Sequence, residues 1–162
     1  MKSPIDIEGW TDGRILEHLQ DFARGKYRVL EIGVWKGRST IAMAQSITGV
    51  IYAIDHFLGS PGERETNHRE AVSDPLGVYL DFLANIKEYG VGDKVIPMMV
   101  ESHKVQFYLR CWSLLKPAGV MCGDDFGWKG VKEAVVEFFI ERKHGQPMTF
   151  VDDKMWVVKK HN

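Results

Sequence analysis

The spacing of apolar residues along the chain predicts helices that alternate with strands. Residues 12–23 carry their apolar side chains on one helical face, and Gly25 ends that helix. Apolar runs predict strands over Tyr27–Ile32 and Val50–Ile54, with a helix over Arg38–Ile47 between them. The second run does not alternate with polar residues, which is typical of a parallel strand covered on both faces.

The pattern resumes after a long polar loop, His56 to about Asp74, which we expect to be a substrate cover or a disordered segment. The further predicted elements are a helix over Gly77–Tyr89, a strand over Lys94–Val100, a helix over Lys104–Leu115, a strand over Val120–Gly123, a helix over Val131–Lys143, and a hairpin of Met148–Val151 with Met155–Val158. This order predicts an α/β fold: a Rossmann-like three-layer sandwich with a mostly parallel sheet and an antiparallel C-terminal hairpin.

Length and composition narrow the class of protein. A chain of 162 residues can form one domain with a real core and is too short for two, so we expect a single domain over residues 1–162. The net charge of −1 does not indicate a nucleic-acid or membrane surface. No apolar run is long enough to cross a bilayer. Cys111 and Cys122 are expected to be free, buried thiols in a reducing cytoplasm.

The most informative stretch is Val29–Thr40, which predicts a strand, a glycine turn and the start of a helix. Asp55 ends the next strand about 20 residues later, as an acid that binds ribose does in nucleotide-binding α/β units. The turn departs from the dinucleotide pattern G-x-G-x-x-G, because Trp35 stands between Gly33 and Gly37. A large ring there would crowd a pyrophosphate, so the sequence favours a cofactor without phosphate.

S-adenosylmethionine is such a cofactor. It needs a glycine turn beneath its methionine part and an acid for its ribose hydroxyls, and Gly33, Gly37 and Asp55 supply both. Glu31 either orders the turn or accepts a hydrogen bond from the ammonium group of the cofactor. The alternative is a structural turn in which Asp55 only caps the next loop. The predicted cofactor-binding residues are Glu31, Gly33, Trp35, Gly37, Ser39, Thr40, Asp55 and His56.

Three aromatic residues, Trp35, His56 and Trp128, have alternative interpretations. His56 could contact the ribose or the adenine of the cofactor, or it could simply be solvated in its loop. Trp35 and Trp128 could line the pocket, or they could belong to the core, where tryptophans are more often found.

The motif E-I-G-V-W-K-G-R-S-T, residues 31–40, resembles the first motif of class I S-adenosylmethionine-dependent methyltransferases. More narrowly, the chain resembles the small-molecule O-methyltransferase group related to macrocin O-methyltransferase. The resemblance extends over nearly the whole chain and implies O-methylation of a small hydroxylated molecule, such as a sugar or a natural product. The other segments that carry it are Glu8–Trp10, Ile54–Ser60, Leu115–Val120, Gly123–Phe126, Gly130–Val131 and Ala134–Val135.

An acid pair, Asp124 and Asp125, follows the predicted strand Val120–Gly123. The carboxyl ends of strands are where open α/β sheets bind ligands. Neighbouring carboxylates repel unless they share a cation or a proton, and oxygen ligands favour ions such as Mg²⁺. The resemblance implies that this pair helps to bind Mg²⁺ together with an aspartate from a preceding strand. The alternative is that one aspartate caps the following helix and the other is solvated.

The chain departs from the resembling group before Val120. Only Glu101–His103 and one predicted helix lie between the third strand and Val120, and no acid-bearing strand is visible there. Either the domain is shortened, so that the strand ending at Asp124 pairs directly with the first strand, or the sequence lacks a segment of the natural chain. The predicted catalytic residues are Asp124, Asp125 and His103. A histidine can take a hydroxyl proton near neutral pH, and the alternative for His103 is a surface position at a helix start.

Three functions of different classes follow. The leading one is a cytoplasmic S-adenosylmethionine-dependent O-methyltransferase with a small-molecule acceptor, with neither nucleic acid nor a membrane as partner, and with a homodimer as the candidate assembly. The second is a catalytically impaired S-adenosylmethionine-binding protein, which the missing acid-bearing strand motivates. The third is a nicotinamide-dependent oxidoreductase, which Trp35 and the absence of a Tyr-x-x-x-Lys pair disfavour.

Overall fold

The computed structural model divides into two compact units, Met1–Ser102 and His103–Asn162. The single domain expected over residues 1–162 therefore stays a prediction. No helix in the described part of the chain is long and apolar enough to cross a membrane. The described residues are 2–58, 74–99, 111–124, 126–127, 129–141 and 147–161.

The first unit is built on a parallel sheet of three strands in the order β1-β2-β3. β1 spans Arg28–Ile32, β2 spans Val50–Asp55 and β3 spans Val95–Met99. The predicted strands are confirmed to within about one residue at each end. Because the strands are parallel, their carboxyl ends lie at one edge of the sheet, and the ends of β1 and β2 carry the predicted cofactor site.

Three helices belong to the same unit: α1 (Gly13–Ala23), α2 (Arg38–Ala44) and α3 (Pro75–Glu88). A 3₁₀ turn at Pro4–Asp6, which the sequence pattern does not predict, precedes them. α2 ends earlier than predicted, because the chain turns after Ala44 and Ile47 forms an isolated β-bridge with another segment.

Side chains of α2, β2 and α3 meet in the core of the first unit. Ile41, Ile51 and Phe82 are fully buried there. Aspartates begin two of the helices: the carboxylate of Asp12 accepts a hydrogen bond from the first turn of α1, and Asp74 does the same for α3. Each cap satisfies an N–H group that the helix itself leaves without a partner.

The second unit contains an antiparallel sheet in the order β4-β6-β5. β4 spans Val120–Gly123, β5 spans Met148–Val151 and β6 spans Met155–Lys159, so the predicted hairpin is confirmed. α4 (Lys129–Val136) continues into a π-helical turn at Glu137–Glu141, where the sequence pattern predicts one uninterrupted helix. The core contains an aromatic cluster. Its members are Trp112, Phe138, Phe139 and Trp156.

The parallel strands joined by helices and the antiparallel C-terminal hairpin confirm the predicted class, a shortened Rossmann-like α/β fold. The helix predicted over Lys104–Leu115 is described only at residues 111–114, which are helical. The long polar loop lies outside the described residues from position 59 to 73. Cys111 and Cys122 are free thiols, as predicted, but they are half-buried rather than buried.

Candidate cofactor site

The glycine turn between β1 and α2 has an unusual backbone. Gly33 and Gly37 have φ values of 78° and 91°, in the left-handed region that favours glycine. Trp35 also lies there, at φ 48°, which is unfavourable for a residue with a bulky side chain. The N–H of Gly33 donates to Ile54 O on β2 at 2.9 Å, and the N–H of Gly37 donates to Val34 O at 2.8 Å. The turn therefore needs further contacts to hold Trp35 in place.

The carboxylate of Asp55 supplies those contacts. Its Oδ2 accepts hydrogen bonds from the N–H groups of Val34 and Trp35, at 2.8 and 2.9 Å. Its Oδ1 accepts one from the N–H of Phe57 at 2.8 Å. A carboxylate offers about four acceptor positions, so one on Oδ1 is left for a ligand. Asp55 thus caps the loop after β2, as the structural alternative predicted, and it also joins the end of β2 to the turn after β1, which the sequence pattern did not indicate.

The turn consequently offers few N–H groups to an anion. The N–H groups of Gly33, Val34, Trp35 and Gly37 all donate to acceptors within the protein. A pyrophosphate in a dinucleotide-binding site is held by such N–H groups at a helix N-terminus. Asp55 occupies two of them and adds a negative charge that would repel a phosphate. This geometry disfavours a dinucleotide, independently of the size of the Trp35 ring.

Glu31 is half-buried, and its carboxyl group lies beneath the turn with Oε2 closed off from solvent. The hydroxyl of Ser39 donates to its Oε1 at 2.5 Å. Its Oε2 is buried without a hydrogen-bond partner in the described part of the chain. Burial raises the pKa of Glu31 to about 7, against the lowering effect of the Ser39 and Thr40 hydroxyls, and the charge of Asp55 raises it further. The Thr40 hydroxyl lies near the Glu31 carboxyl group, and its oxygen has no hydrogen-bond partner in the described part of the chain.

A cavity of about 70 Å³ opens beside the turn. Residues 8–11 line one side, and residues 33–35 line the other together with Arg38 and Ser39. Ligand pockets commonly measure about 300–1,000 Å³, so this cavity can hold only one end of a cofactor. Trp10 packs against Trp35 with the ring centroids 5.5 Å apart and the ring planes tilted by 57°, and Trp10 stays 60% exposed at the rim.

Two basic residues of the turn and of α2 fix the walls of this cavity. The Arg38 guanidinium donates to the carbonyl oxygens of Ile7 and Thr11, and so holds the N-terminal segment against α2. Lys36 is buried, and its Nζ lies 2.8 Å from Glu8 Oε2 and 3.2 Å from a carboxylate oxygen on α3. The sequence pattern did not indicate either role. The available signal was that both are basic residues within the motif of residues 31–40.

His56 shapes the loop after β2. Its Nδ1 accepts a hydrogen bond from the N–H of Leu58 at 2.9 Å and lies 3.8 Å from Asp55 Oδ1. The side chain is 23% exposed. The structure therefore brings His56 beside Asp55, where it can reach a ligand only through its remaining exposed edge.

The predicted catalytic residues are less completely described. Asp124 follows β4 in the second unit and is half-buried. Asp125, His103 and Trp128 lie outside the described residues. Within the described ranges, no three His, Cys, Asp or Glu side chains are grouped closely enough to hold a metal ion. The Mg²⁺ site and the proton acceptor therefore stay predictions.

No protein-family model matches the sequence, and no curated protein matches it either. Solved structures do match. The O-methyltransferase NovP is 14% identical with a TM-score of 0.69, over 91% of this chain and 79% of that one. The O-methyltransferase TomG from Streptomyces achromogenes, solved with S-adenosylmethionine, is 14% identical with a TM-score of 0.65, over 94% of this chain and 82% of that one.

A third similar structure carries a different reaction in its name. Precorrin-6y C5,15-methyltransferase from Geobacter metallireducens is 12% identical with a TM-score of 0.65, over 93% of this chain and 91% of that one. At such identities the likeness shows the fold alone. The resemblance to class I methyltransferases is thus confirmed for the fold. Because that fold is shared by proteins named for oxygen and for carbon methylation, it does not determine the acceptor.

Proposed function

We propose that the chain is an S-adenosylmethionine-dependent methyltransferase that methylates an oxygen atom of a small hydroxylated metabolite, such as a sugar or a natural product. The observation that carries the proposal is the turn in which Asp55 already occupies the N–H groups of Val34 and Trp35. A nucleoside cofactor bound there has to be recognised without phosphate contacts. The fold shared with solved methyltransferases supports the same cofactor.

The residues around the turn fit this cofactor. A Cβ added at Gly33 would meet no atom within 4 Å, so there is open space directly above the turn. The buried Oε2 of Glu31 would be stabilised by a cationic group nearby. The remaining acceptor position of Asp55 could accept a hydrogen bond from a ribose hydroxyl. When bound, S-adenosylmethionine supplies an electrophilic methyl group on a positively charged sulfur.

The chain itself would contribute rigid positioning and exclusion of water. Asp55 and Arg38 fix the turn and the N-terminal segment, so the walls of the cavity are set before a ligand binds. The rings of Trp10 and Trp35, which contact each other, would cover one end of the ligand. We place this reaction in the cytoplasm, on a small-molecule acceptor, with a homodimer as the candidate assembly and with neither nucleic acid nor a membrane as partner.

An acceptor hydroxyl loses its proton during methylation, and Asp124 and Asp125 are the residues that we propose to take it, with His103 as the alternative. Mg²⁺ held by the acid pair would lower the pKa of the acceptor hydroxyl. Titration of Mg²⁺ into the wild type and an Asp125→Asn variant tests the metal site, with methyl transfer and thermal stability as readouts. We expect a response in the wild type alone. An equal response in both would exclude this site.

A thermal-shift panel tests the cofactor. S-adenosylhomocysteine should raise the melting temperature of the wild type, and NADH should not. Gly33→Ala should abolish this shift, because the added methyl group occupies the space above the turn. Gly25→Ala is the matched control: Gly25 has a similar φ of 69° and lies away from the site. A shift with NADH alone would contradict the proposal. A shift without any methyl transfer to small hydroxylated compounds would indicate a binding protein that lacks catalysis.

A further inference from the structure

The imidazole ring of His56 lies between two hydrogen-bonding groups of its own loop. Its Nδ1 accepts a hydrogen bond from the N–H of Leu58 at 2.9 Å and lies 3.8 Å from Asp55 Oδ1. A ring nitrogen that accepts a hydrogen bond carries no proton, so the proton of the neutral ring is on Nε2. The hydrogen bond from Leu58 therefore requires the neutral form of His56.

Protonation of His56 reverses these two relations. An imidazolium donates from both nitrogens and accepts at neither, so it cannot keep the hydrogen bond from the N–H of Leu58. The carboxylate of Asp55 is an acceptor within reach, because a shift of about 1 Å shortens the 3.8 Å separation to an ordinary hydrogen bond. The opposite charges favour that shift. His56 thus has two mutually exclusive partners, and its charge selects between them.

The Asp55 oxygen nearest to His56 is also the one with room for a ligand. Oδ2 of Asp55 accepts two N–H groups, from Val34 and Trp35. In the described part of the chain, Oδ1 accepts one N–H, from Phe57. The open position on Oδ1 is the one that the proposed function gives to a ribose hydroxyl. A protonated His56 and a ribose hydroxyl therefore compete for one acceptor position.

We propose that His56 is a positioning residue whose protonation closes the Asp55 Oδ1 position to the ribose hydroxyl, so that the cofactor and a proton bind in competition. This inference rests on the proposed function. In the neutral state, the N–H of Leu58 holds the ring and Oδ1 stays open to the ligand. In the protonated state, Nδ1–H occupies Oδ1. Affinity for the cofactor is therefore highest above neutral pH and decreases as the pH falls.

The other titratable and charged groups around His56 are the same in the presence or absence of its proton. On β1, Glu31 faces Asp55, and with a pKa of about 7 it changes charge in the same pH range as a histidine. The test must therefore compare proteins as well as pH values. On α3, the ring of Tyr79 packs on the residue after His56 and carries no charge near neutral pH. The cations of the turn and of α2 are engaged elsewhere: Lys36 with Glu8 and a carboxylate of α3, and Arg38 with backbone carbonyls.

Calorimetric titration with S-adenosylhomocysteine at pH 7.5, 6.5 and 5.5 tests the competition. His56→Asn is the decisive variant, because an asparagine oxygen can accept from the N–H two residues later and does not titrate. The Kd of the wild type divided by that of His56→Asn should increase about tenfold from pH 7.5 to pH 5.5, if His56 titrates as an ordinary histidine does, near 6.5. His18→Gln, on α1, is the matched control and should behave as the wild type.

The histidine ring gives a second readout, which uses the wild type alone. By linkage, a ligand that binds only the neutral ring moves the midpoint of the ring titration to lower pH, and NMR with and without S-adenosylhomocysteine measures that midpoint. In the ligand-free protein, the amide signal of Leu58 should follow the same titration. A Kd ratio that is independent of pH, or a midpoint that the ligand leaves unchanged or raises, would overturn the inference. Absence of binding at every pH in all three proteins would instead refute the proposed function.

Discussion

Both units bury apolar side chains in a core, but the first unit also has a polar network at the ends of its strands. In the first unit, the strands β1 and β2 end at a turn that Asp55 holds through hydrogen bonds, with the carboxyl group of Glu31 beneath it. In the second unit, four consecutive residues of β6, Met155–Val158, are buried, and aromatic rings pack edge to face in the core. Polar groups thus support a candidate binding site in one unit, and apolar packing supports the sheet in the other.

This difference separates two kinds of residue. A substitution in the aromatic core of the second unit should act on stability through lost contacts and a cavity. A substitution at the turn of the first unit should act on both stability and ligand binding. The size of each effect depends on which hydrogen bond the substitution removes or which space it fills. Variants in both units can therefore test whether the polar network is specific to the binding site.

The largest effect is expected for Trp156→Ala in the second unit. Trp156 is 3% exposed and packs against Phe139, with their centroids 5.8 Å apart. Removal of a buried aromatic side chain typically lowers the free energy of unfolding by about 3–5 kcal/mol. Urea denaturation measures this loss. Leu114→Ala is the control, because Leu114 is 76% exposed and should lose less than about 0.5 kcal/mol. Similar losses in the two variants would contradict the assigned core.

Asp55→Ala should show that the turn depends on one carboxylate. It leaves the N–H groups of Val34, Trp35 and Phe57 without their acceptor, at about 1–3 kcal/mol for each that stays buried. We expect a total loss of about 3–4 kcal/mol and no thermal shift with S-adenosylhomocysteine. Asp21→Ala, at an exposed carboxylate, should change the stability little. An Asp55→Ala variant as stable as the wild type would mean that these bonds do not hold the turn.

Glu31 should make the stability of the ligand-free protein depend on pH. Its pKa in the folded state is about 7, above the usual 4.5, because the site is buried. Its contribution to stability is therefore full below pH 4.5, decreases as the pH rises and is lost above pH 7, with a difference of about 3 kcal/mol. Denaturation midpoints from pH 4.5 to 8 measure this slope relative to Glu31→Gln, which should lack it. Equal slopes would show that Glu31 ionises as it would in water.

The smallest effects are expected for glycine variants, which distinguish the cost of backbone strain from the cost of a steric contact. Gly37→Ala places a Cβ at a φ of 91° and 3.1 Å from the Phe82 ring, so we expect a loss of about 2 kcal/mol. Gly33→Ala and Gly25→Ala meet no atoms within 4 Å, so each should lose only about 1 kcal/mol from strain. When Gly37→Ala is combined with Phe82→Leu, the part of the stability loss that comes from the contact with Phe82 should decrease. The part that comes from backbone strain should stay the same. Equal losses for all three glycine variants in denaturation experiments would exclude the contact with Phe82.

Much of the first unit could be predicted from the sequence, because the sequence signals for its strands, turn and helices are local. The run Val29–Thr40 indicates strand, turn and helix, and Asp55 ends the next strand where the structure places it. Asp12 at the N-cap and Gly37 at the start of α2 are also local signals. Within the described residues, the predicted order of strands and helices is confirmed for the same reason.

The remaining features depend on contacts between distant segments. The bonds from Arg38 to the carbonyls of Ile7 and Thr11 join residues about 30 positions apart, and no local pattern indicates them. The burial that raises the pKa of Glu31 likewise exists only in the folded chain. The π-helical turn at Glu137–Glu141 keeps a helical apolar pattern, so the sequence cannot distinguish it from a regular helix.

The most direct test of the central claim is a calorimetric titration of the wild type with S-adenosylhomocysteine and, separately, with NADH at pH 7. The claim is that a turn whose N–H groups are occupied by Asp55 binds a nucleoside cofactor without phosphate. We predict one S-adenosylhomocysteine per chain and no measurable heat with NADH. Binding of NADH without binding of S-adenosylhomocysteine would contradict the account.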